Sequence, residues 1–234
     1  MAKRSHTCTK ASTCAAISKQ HLDTLQQVRR IWKPFVFLVC LIPAVLVVTD
    51  AFELTGRLGA NPVEEIQDRF GIWALRFIMV TLAVTPIRRL TGWNWLARFR
   101  RMFGLFTFFY VLMHFLTWLF LDQGLLLSAI LEDIVERPFI TIGFVALLLL
   151  SALAATSTNG MRRHLGRRWQ TLHNATYVIA VLGVWHYWWQ VKKDITEPLT
   201  YAVILAVLLG ARLIWSWVHK KRRLRAAHQT PQRS

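Results

Sequence analysis

Acidic residues are scarce in this sequence: 12 Asp and Glu stand against 29 Lys and Arg, for a formal net charge of +17. Cysteine is scarcer still. Of the three, Cys8 and Cys14 have five residues between them, a gap that fits no zinc pattern, and Cys40 lies inside an apolar run. A disulfide framework and a structural zinc site are thereby excluded. Residues 1–30 are basic and rich in Ser and Thr and lack the apolar stretch of a cleavable signal peptide, so they read as a disordered cytoplasmic tail. No internal repeat is apparent along the chain. Few residues are left over for a soluble domain once the apolar runs are set aside.

Those runs dominate the rest. Hydrophobic residues make up 54% of the 234, with 14 Phe and 11 Trp. A hydrocarbon layer of about 30 Å asks for about 20 apolar residues per helix. Six stretches of about that kind occur, at Pro34 to Thr49, Gly71 to Ile87, Met102 to Leu121, Phe139 to Ala155, His173 to Val191 and Leu199 to Val218. Arg76 and Arg212 are the fixed charges inside them. The expectation is an all-α, multi-pass membrane protein: a six-helix transmembrane domain over 31–219, flanked by basic tails at 1–30 and 220–234.

A large positive charge suggests nucleic acid, but its distribution follows topology instead. When segments are assigned alternately to two sides, one side carries 22 Lys and Arg and the other 5. Cytoplasmic segments collect basic residues, so both termini are expected in the cytoplasm of a bacterium, with the domain in its inner membrane and lipid rather than nucleic acid as surroundings. Eleven of the twelve acidic residues fall on the outward side, Asp23 being the exception. In the first outward loop, Asn61-Pro62 marks a turn before a polar VEEIQDRF stretch with the makings of a short helix. In the second, Leu125, Leu126, Ile130, Ile134 and Val135 recur at helical spacing opposite Glu132, Asp133 and Glu136, which predicts a helix lying along the interface. Trp93 and Trp95, and the Trp185, Trp188, Trp189 cluster, suit the headgroup level at opposite faces.

Ionisable side chains inside hydrocarbon are costly and mark function. Three histidines qualify: His114 in the third run and His173 and His186 in the fifth. At about 1.5 Å per residue, His114 lies about 12 Å and His186 about 9 Å from the outward boundary, nearly one level. Two imidazoles at one depth on facing helices can supply both axial nitrogens of a haem b iron; they also fit a transporter's proton relay. Gly183, one turn before His186, leaves either room for a porphyrin edge or a close helix contact. Thr107, Tyr110 and Trp118 share the face of His114. His173 lies about 20 Å deeper than His186, and 13 residues along an ideal helix turn the two rings about 140° apart. A second haem there needs a helix irregularity, and the matching position on the third run is Arg101. Arg76 sits where an outer haem would present its propionates, and equally where it could snorkel or pair with Asp50. The basic RRLTGWNWLARFRR and MRRHLGRR segments offer surfaces for a flavin phosphate or an acidic electron donor.

The blocks LTGRLGANPVEEIQDRFGIWALRF, RRMFGLFTFFYVLMH, TSTNGMRRHLGRRWQTLHN and HYWW carry a resemblance over about residues 30 to 220. The chain resembles the haem-binding membrane subunits of the bacterial methionine sulfoxide reductase system, within the ferric-reductase-like transmembrane superfamily. That resemblance implies b-type haem, one or two, on His114, His173 and His186, with FMN as a further cofactor. It also implies a cytoplasmic flavin reductase as donor and a periplasmic molybdopterin-containing methionine sulfoxide reductase as acceptor, in the repair of oxidised envelope proteins. About 16 residues follow the sixth run, too few for a flavin or nicotinamide domain, so an electron-transfer subunit without a substrate-turnover site of its own is expected. A stand-alone ferric or cupric reductase and a proton-coupled transporter are the alternatives.

Overall fold

The computed structural model describes residues 28–56, 58–191 and 194–228; of the tails expected at 1–30 and 220–234, residues 1–27 and 229–234 lie outside these, and 220–228 continue the last helix. Every regular element among the described residues is helical. They divide into two units, with the boundary between Leu46 and Val47. The first holds a π-helical turn, Val28–Trp32, and most of α1 (Lys33–Ala51), which runs on through Pro43. Phe35, Leu38 and Ile42 are exposed on it.

The second unit is built from α2 (Pro62–Thr91), α3 (Arg100–Thr117), α4 (Leu127–Glu136), α5 (Pro138–Ala155), α6 (Asn159–Leu165), α7 (Arg167–His173), α8 (Ala175–Gln190) and α9 (Thr196–His228). α2 shows how local chemistry sets the ends. Asn61 accepts the Glu64 amide, Pro62 supplies a preset first turn, and Glu64 and Glu65 face the positive end of the helix dipole. At the far end Arg88 and Arg89 meet the negative pole, and Gly92 takes a left-handed φ of 74° to return its amide to the Arg88 carbonyl. The VEEIQDRF stretch is therefore no separate short helix: it forms the first turns of α2, which runs on without a break, through Pro86, to Thr91.

α2 packs on α3, and α5 on α8. Leu75, Ile78 and Leu82 of α2, Leu150 and Leu153 of α5, and Ile179, Ala180 and Val184 of α8 form one buried cluster. Beside it, Tyr110 is fully buried and stacks on Phe77 with ring centres 5.1 Å apart. The outward surface is apolar too, with Val145, Leu148, Val203, Val207 and Leu213 all exposed. Water would penalise such a surface; hydrocarbon does not.

Among the described residues, five helices are long and apolar enough to cross a membrane: Arg30–Ala51, Pro62–Thr91, Arg100–Asp122, Pro138–Ala155 and Thr196–Lys221. The protein is a multi-pass membrane protein. The remaining expected span, at 173–191, is realised as the 16-residue α8, about 24 Å long. Its shortness has a local cause: the chain turns at Asn174, where the separate α7 ends with His173. The amphipathic helix expected after Asp122 is α4, with Leu131 and Val135 exposed and Asp133 bonded to Gln123 and Arg137.

Candidate functional site

The two histidines expected at one depth do meet. His114 on α3 and His186 on α8 stand with ring centres 6.0 Å apart and planes crossed at 86°. Each ring is held from behind by a backbone carbonyl: the His114 Nδ1–H donates to Gln67 at 2.8 Å, and the His186 Nδ1–H donates to Phe139 at 2.7 Å. Those bonds choose the tautomer. With Nδ1 protonated, Nε2 keeps its lone pair and is the ligating nitrogen.

Both carbonyls are also acceptors within their own helices, and a second bond is possible because a carbonyl oxygen has two lone pairs. Access to that lone pair is the difficulty. A helical side chain covers the turn before it, so the residue four positions later normally shields the carbonyl. Here that residue is Gly71 for Gln67 and Gly143 for Phe139. A methyl group on Gly71 would stand 3.1 Å from the His114 Nδ1, and one on Gly143 would stand 3.0 Å from the His186 Nδ1. The glycines admit the imidazoles edge-on to the helix backbone.

The half-sites match in sequence position. In each, carbonyl and histidine lie 47 residues apart. The glycine precedes its histidine by 43 residues in both, and every member of the second set follows its counterpart in the first by 72. This is an internal equivalence that the residue identities conceal, since Gln67 faces Phe139 in the alignment and only glycine and histidine recur. The repeated interval from glycine to histidine was the available signal.

Between the rings opens a cavity of about 300 Å³. Leu75, Ile78, Leu147, Leu150 and Ile179 line its body, and Gln67, Asp68, Asp122, Arg137 and Gln190 its polar end. Thr107 and Trp118 face it as expected, whereas Tyr110 belongs to the aromatic stack on Phe77. Gly183 lines the cavity, and a methyl group there would meet Leu75 at an ordinary 3.7 Å, so close helix packing does not require the glycine.

Two nitrogens alone hold a bare metal ion poorly, since the usual sites need three or four protein ligands. No group of three His, Cys, Asp or Glu suited to a metal ion occurs among the described residues. A group that brings its own equatorial donors fits better. Two metal–nitrogen bonds of about 2 Å each, plus the half-width of each ring, span about 6 Å between ring centres. The donor set, the spacing and the apolar body with a polar mouth therefore fit haem.

The other expected residues are placed elsewhere. His173 ends α7, stacks on Trp169 with ring centres 4.0 Å apart, and has its Nε2 3.3 Å from the Thr156 hydroxyl. It does not line the cavity. Arg101 donates to Asn159 at 2.7 Å. Arg76 is exposed on another face of α2, where it lies over Trp73 and donates to the Tyr201 hydroxyl at 3.1 Å. Asp50, offered as a partner for Arg76, pairs instead with Arg69 at 2.6 Å. Inside α9, Arg212 bonds the Leu82 carbonyl and the Tyr177 hydroxyl. The residues that the sequence reading missed are Gln67, Gly71, Phe139, Gly143 and Arg137: backbone groups and glycines carry no chemical signature, and Arg137 lies outside the apolar runs.

Residues 70–184 match the family described as ferric reductase like transmembrane component. Among curated proteins, the chain is 54% identical over 186 residues to the protein-methionine-sulfoxide reductase heme-binding subunit MsrQ of Ralstonia nicotianae, covering 78% of this chain and 84% of that one. The protein of the same name from Herminiimonas arsenicoxydans is 53% identical over 169 residues, 71% and 78% of the two chains. That of Bordetella pertussis is 52% identical over 162 residues, 68% and 79%. The match spans most of each relative, and by it the chain belongs to the MsrQ family.

Proposed function

We propose that this protein is the haem b subunit of a methionine sulfoxide reductase system, carrying electrons across the bacterial inner membrane. They would pass from a reduced flavin or flavin reductase on the cytoplasmic face to a periplasmic molybdopterin-dependent reductase that repairs oxidised envelope proteins. The observation that carries this reading is the pair of facing imidazoles, 6.0 Å apart, each with its Nδ1–H committed to a helix carbonyl. Bound haem would supply one-electron chemistry. The chain's own part is to hold it by the Nε2 atoms of His114 and His186, to surround it with the aliphatic wall that keeps water out, and to meet its carboxylates at the polar mouth. Arg137 lines that mouth and Arg76 does not, so Arg137 takes the propionate role, exchanging its ion pair with Asp133 for the haem carboxylate.

Six crossings with both termini cytoplasmic follow from the 22 to 5 division of basic residues, with α8 as the short crossing. His173 and the basic loops around it then lie at the cytoplasmic face, as a ligand of a second haem or a contact for FMN. The chain needs no substrate site of its own in this scheme. A second reading, a stand-alone ferric or cupric reductase, is favoured by the match to the ferric-reductase-like family.

Purified protein should show a six-coordinate low-spin haem spectrum, with haem counted per chain. In oriented vesicles, reduced flavin with a flavin reductase on the cytoplasmic side should reduce it, and the periplasmic subunit with methionine sulfoxide should reoxidise it from the other side. Absence of haem sinks the whole reading. Haem reoxidised by chelated ferric iron but never by the reductase favours the second.

A further inference from the structure

We propose that Gly71 and Gly143, with the carbonyls of Gln67 and Phe139 that they lay bare, are positioning elements that hold the two axial imidazoles crossed and so set the ligand field at this site. The inference rests on the reading of His114 and His186 as haem ligands and adds residues that touch only those ligands.

Rotation of an axial imidazole about its metal bond is soft unless its second nitrogen is anchored. Here both are anchored, 2.8 Å and 2.7 Å from helix carbonyls, and each ring is walled by a helix backbone with no side chain between. The two walls belong to different helices, α2 and α5, and the rings they fix stand at 86°. An imidazole donates through a filled orbital perpendicular to its ring. Parallel rings act on the same metal dπ orbital and split the pair; crossed rings act one on each and leave the two nearly equal in energy. The ferric form is then expected to give a strongly anisotropic low-spin resonance with one very large g value, rather than the three well-separated lines of parallel rings. The same hydrogen bonds raise the basicity of the ligands, which favours the ferric state.

A methyl group at Gly71 or Gly143 falls about 3 Å from a ring nitrogen and covers the carbonyl behind it. The ring must turn or withdraw, and its hydrogen bond weakens. Gly71→Ala and Gly143→Ala are therefore expected to move the large-g signal toward the three-line form and to raise the midpoint potential. They should also weaken haem affinity by about tenfold to a hundredfold, the range for losing such a support. Gly104→Ala on α3 is the control, since the nearest atom to its new methyl is a Thr81 carbon at 4.0 Å.

The test is electron paramagnetic resonance of the purified full-length ferric protein, the signal being assigned by its loss in His114→Ala. A large-g signal that both cavity-side glycine variants shift and Gly104→Ala does not shift supports the proposal. A three-line spectrum in the unsubstituted protein overturns it without any variant having to fold. So does a large-g signal that survives both substitutions with full haem, or one that Gly104→Ala moves equally. These outcomes leave ligation by His114 and His186 standing. That reading fails separately, if no haem is bound or if His114→Ala keeps the full six-coordinate spectrum with undiminished haem per chain.

Discussion

The two ends of the helix pairs α2/α3 and α5/α8 make an instructive contrast. At the level of His114 and His186 the pairs carry the same chemistry at equivalent positions: a bared carbonyl, a glycine and a histidine. Thirteen residues away along the chain the equivalence is lost, with Arg101 in one half and His173 in the other. Arg101 is bonded to Asn159, and His173 lies between Trp169 and Thr156 at the end of a separate helix. Matched half-sites make a symmetric two-nitrogen clamp. Unmatched ones leave a single imidazole at a surface dense in Arg, suited to a phosphate or a protein partner more than to a second clamp of the same kind.

The largest effect expected from breaking this contrast is at the matched level. His114→Ala or His186→Ala should each abolish the low-spin haem of that site, because one imidazole leaves the other axial position unfilled. Equal loss in the two variants, read as haem per chain, is the signature of a shared site; an intact spectrum in either one removes that histidine from the ligand set. His173→Ala should do less. The spectrum assigned to His114 and His186 persists, while reduction by flavin from the cytoplasmic face slows; collapse of the outer signal would mean that the two levels are not separable.

Smaller effects should follow from the helix ends that support each level. Asn61 caps the helix whose Gln67 carbonyl orients His114, so Asn61→Ala should cost about 1 kcal/mol of stability, measurable as a lower thermal midpoint in detergent. It should loosen haem before it alters flavin reduction. Asp194 gives the smallest effect. It accepts hydrogen bonds from the Thr196 hydroxyl and amide, which hold its carboxyl below the usual range. A depressed carboxylate stabilises the fold above its unfolded pKa of about 4, and that contribution is lost as the pH falls through the lower folded value. Asp194→Asn keeps an acceptor but not the charge, so the thermal midpoint should match the unsubstituted protein's at low pH and fall slightly below it at neutral pH. A difference that grows on acidification would reverse the sign.

Much of the protein was legible in advance because bilayer physics writes itself into composition. Hydrocarbon demands apolar runs of fixed length and the positive-inside bias marks their ends, so the helical class, five of the expected spans and the facing of His114 and His186 could be read off. Depth along a helix is arithmetic, and the two histidines that it set at one level meet ring to ring. What the sequence could not specify was whatever depends on which face meets which. Arg76 and Tyr110 were assigned by level and by helical face, but packing turned Arg76 toward Tyr201 and Tyr110 into the stack on Phe77. The break at Asn174 put His173 in its own helix, which an ideal 3.6-residue period cannot foresee. The tautomers of the ligand histidines, the crossing of their planes and the roles of Gly71 and Gly143 arise from backbone atoms of one helix meeting side chains of another. Backbone carbonyls are the same in every residue, so no sequence marks which of them will be used; only the packed helices bring Gln67 to His114 and Phe139 to His186.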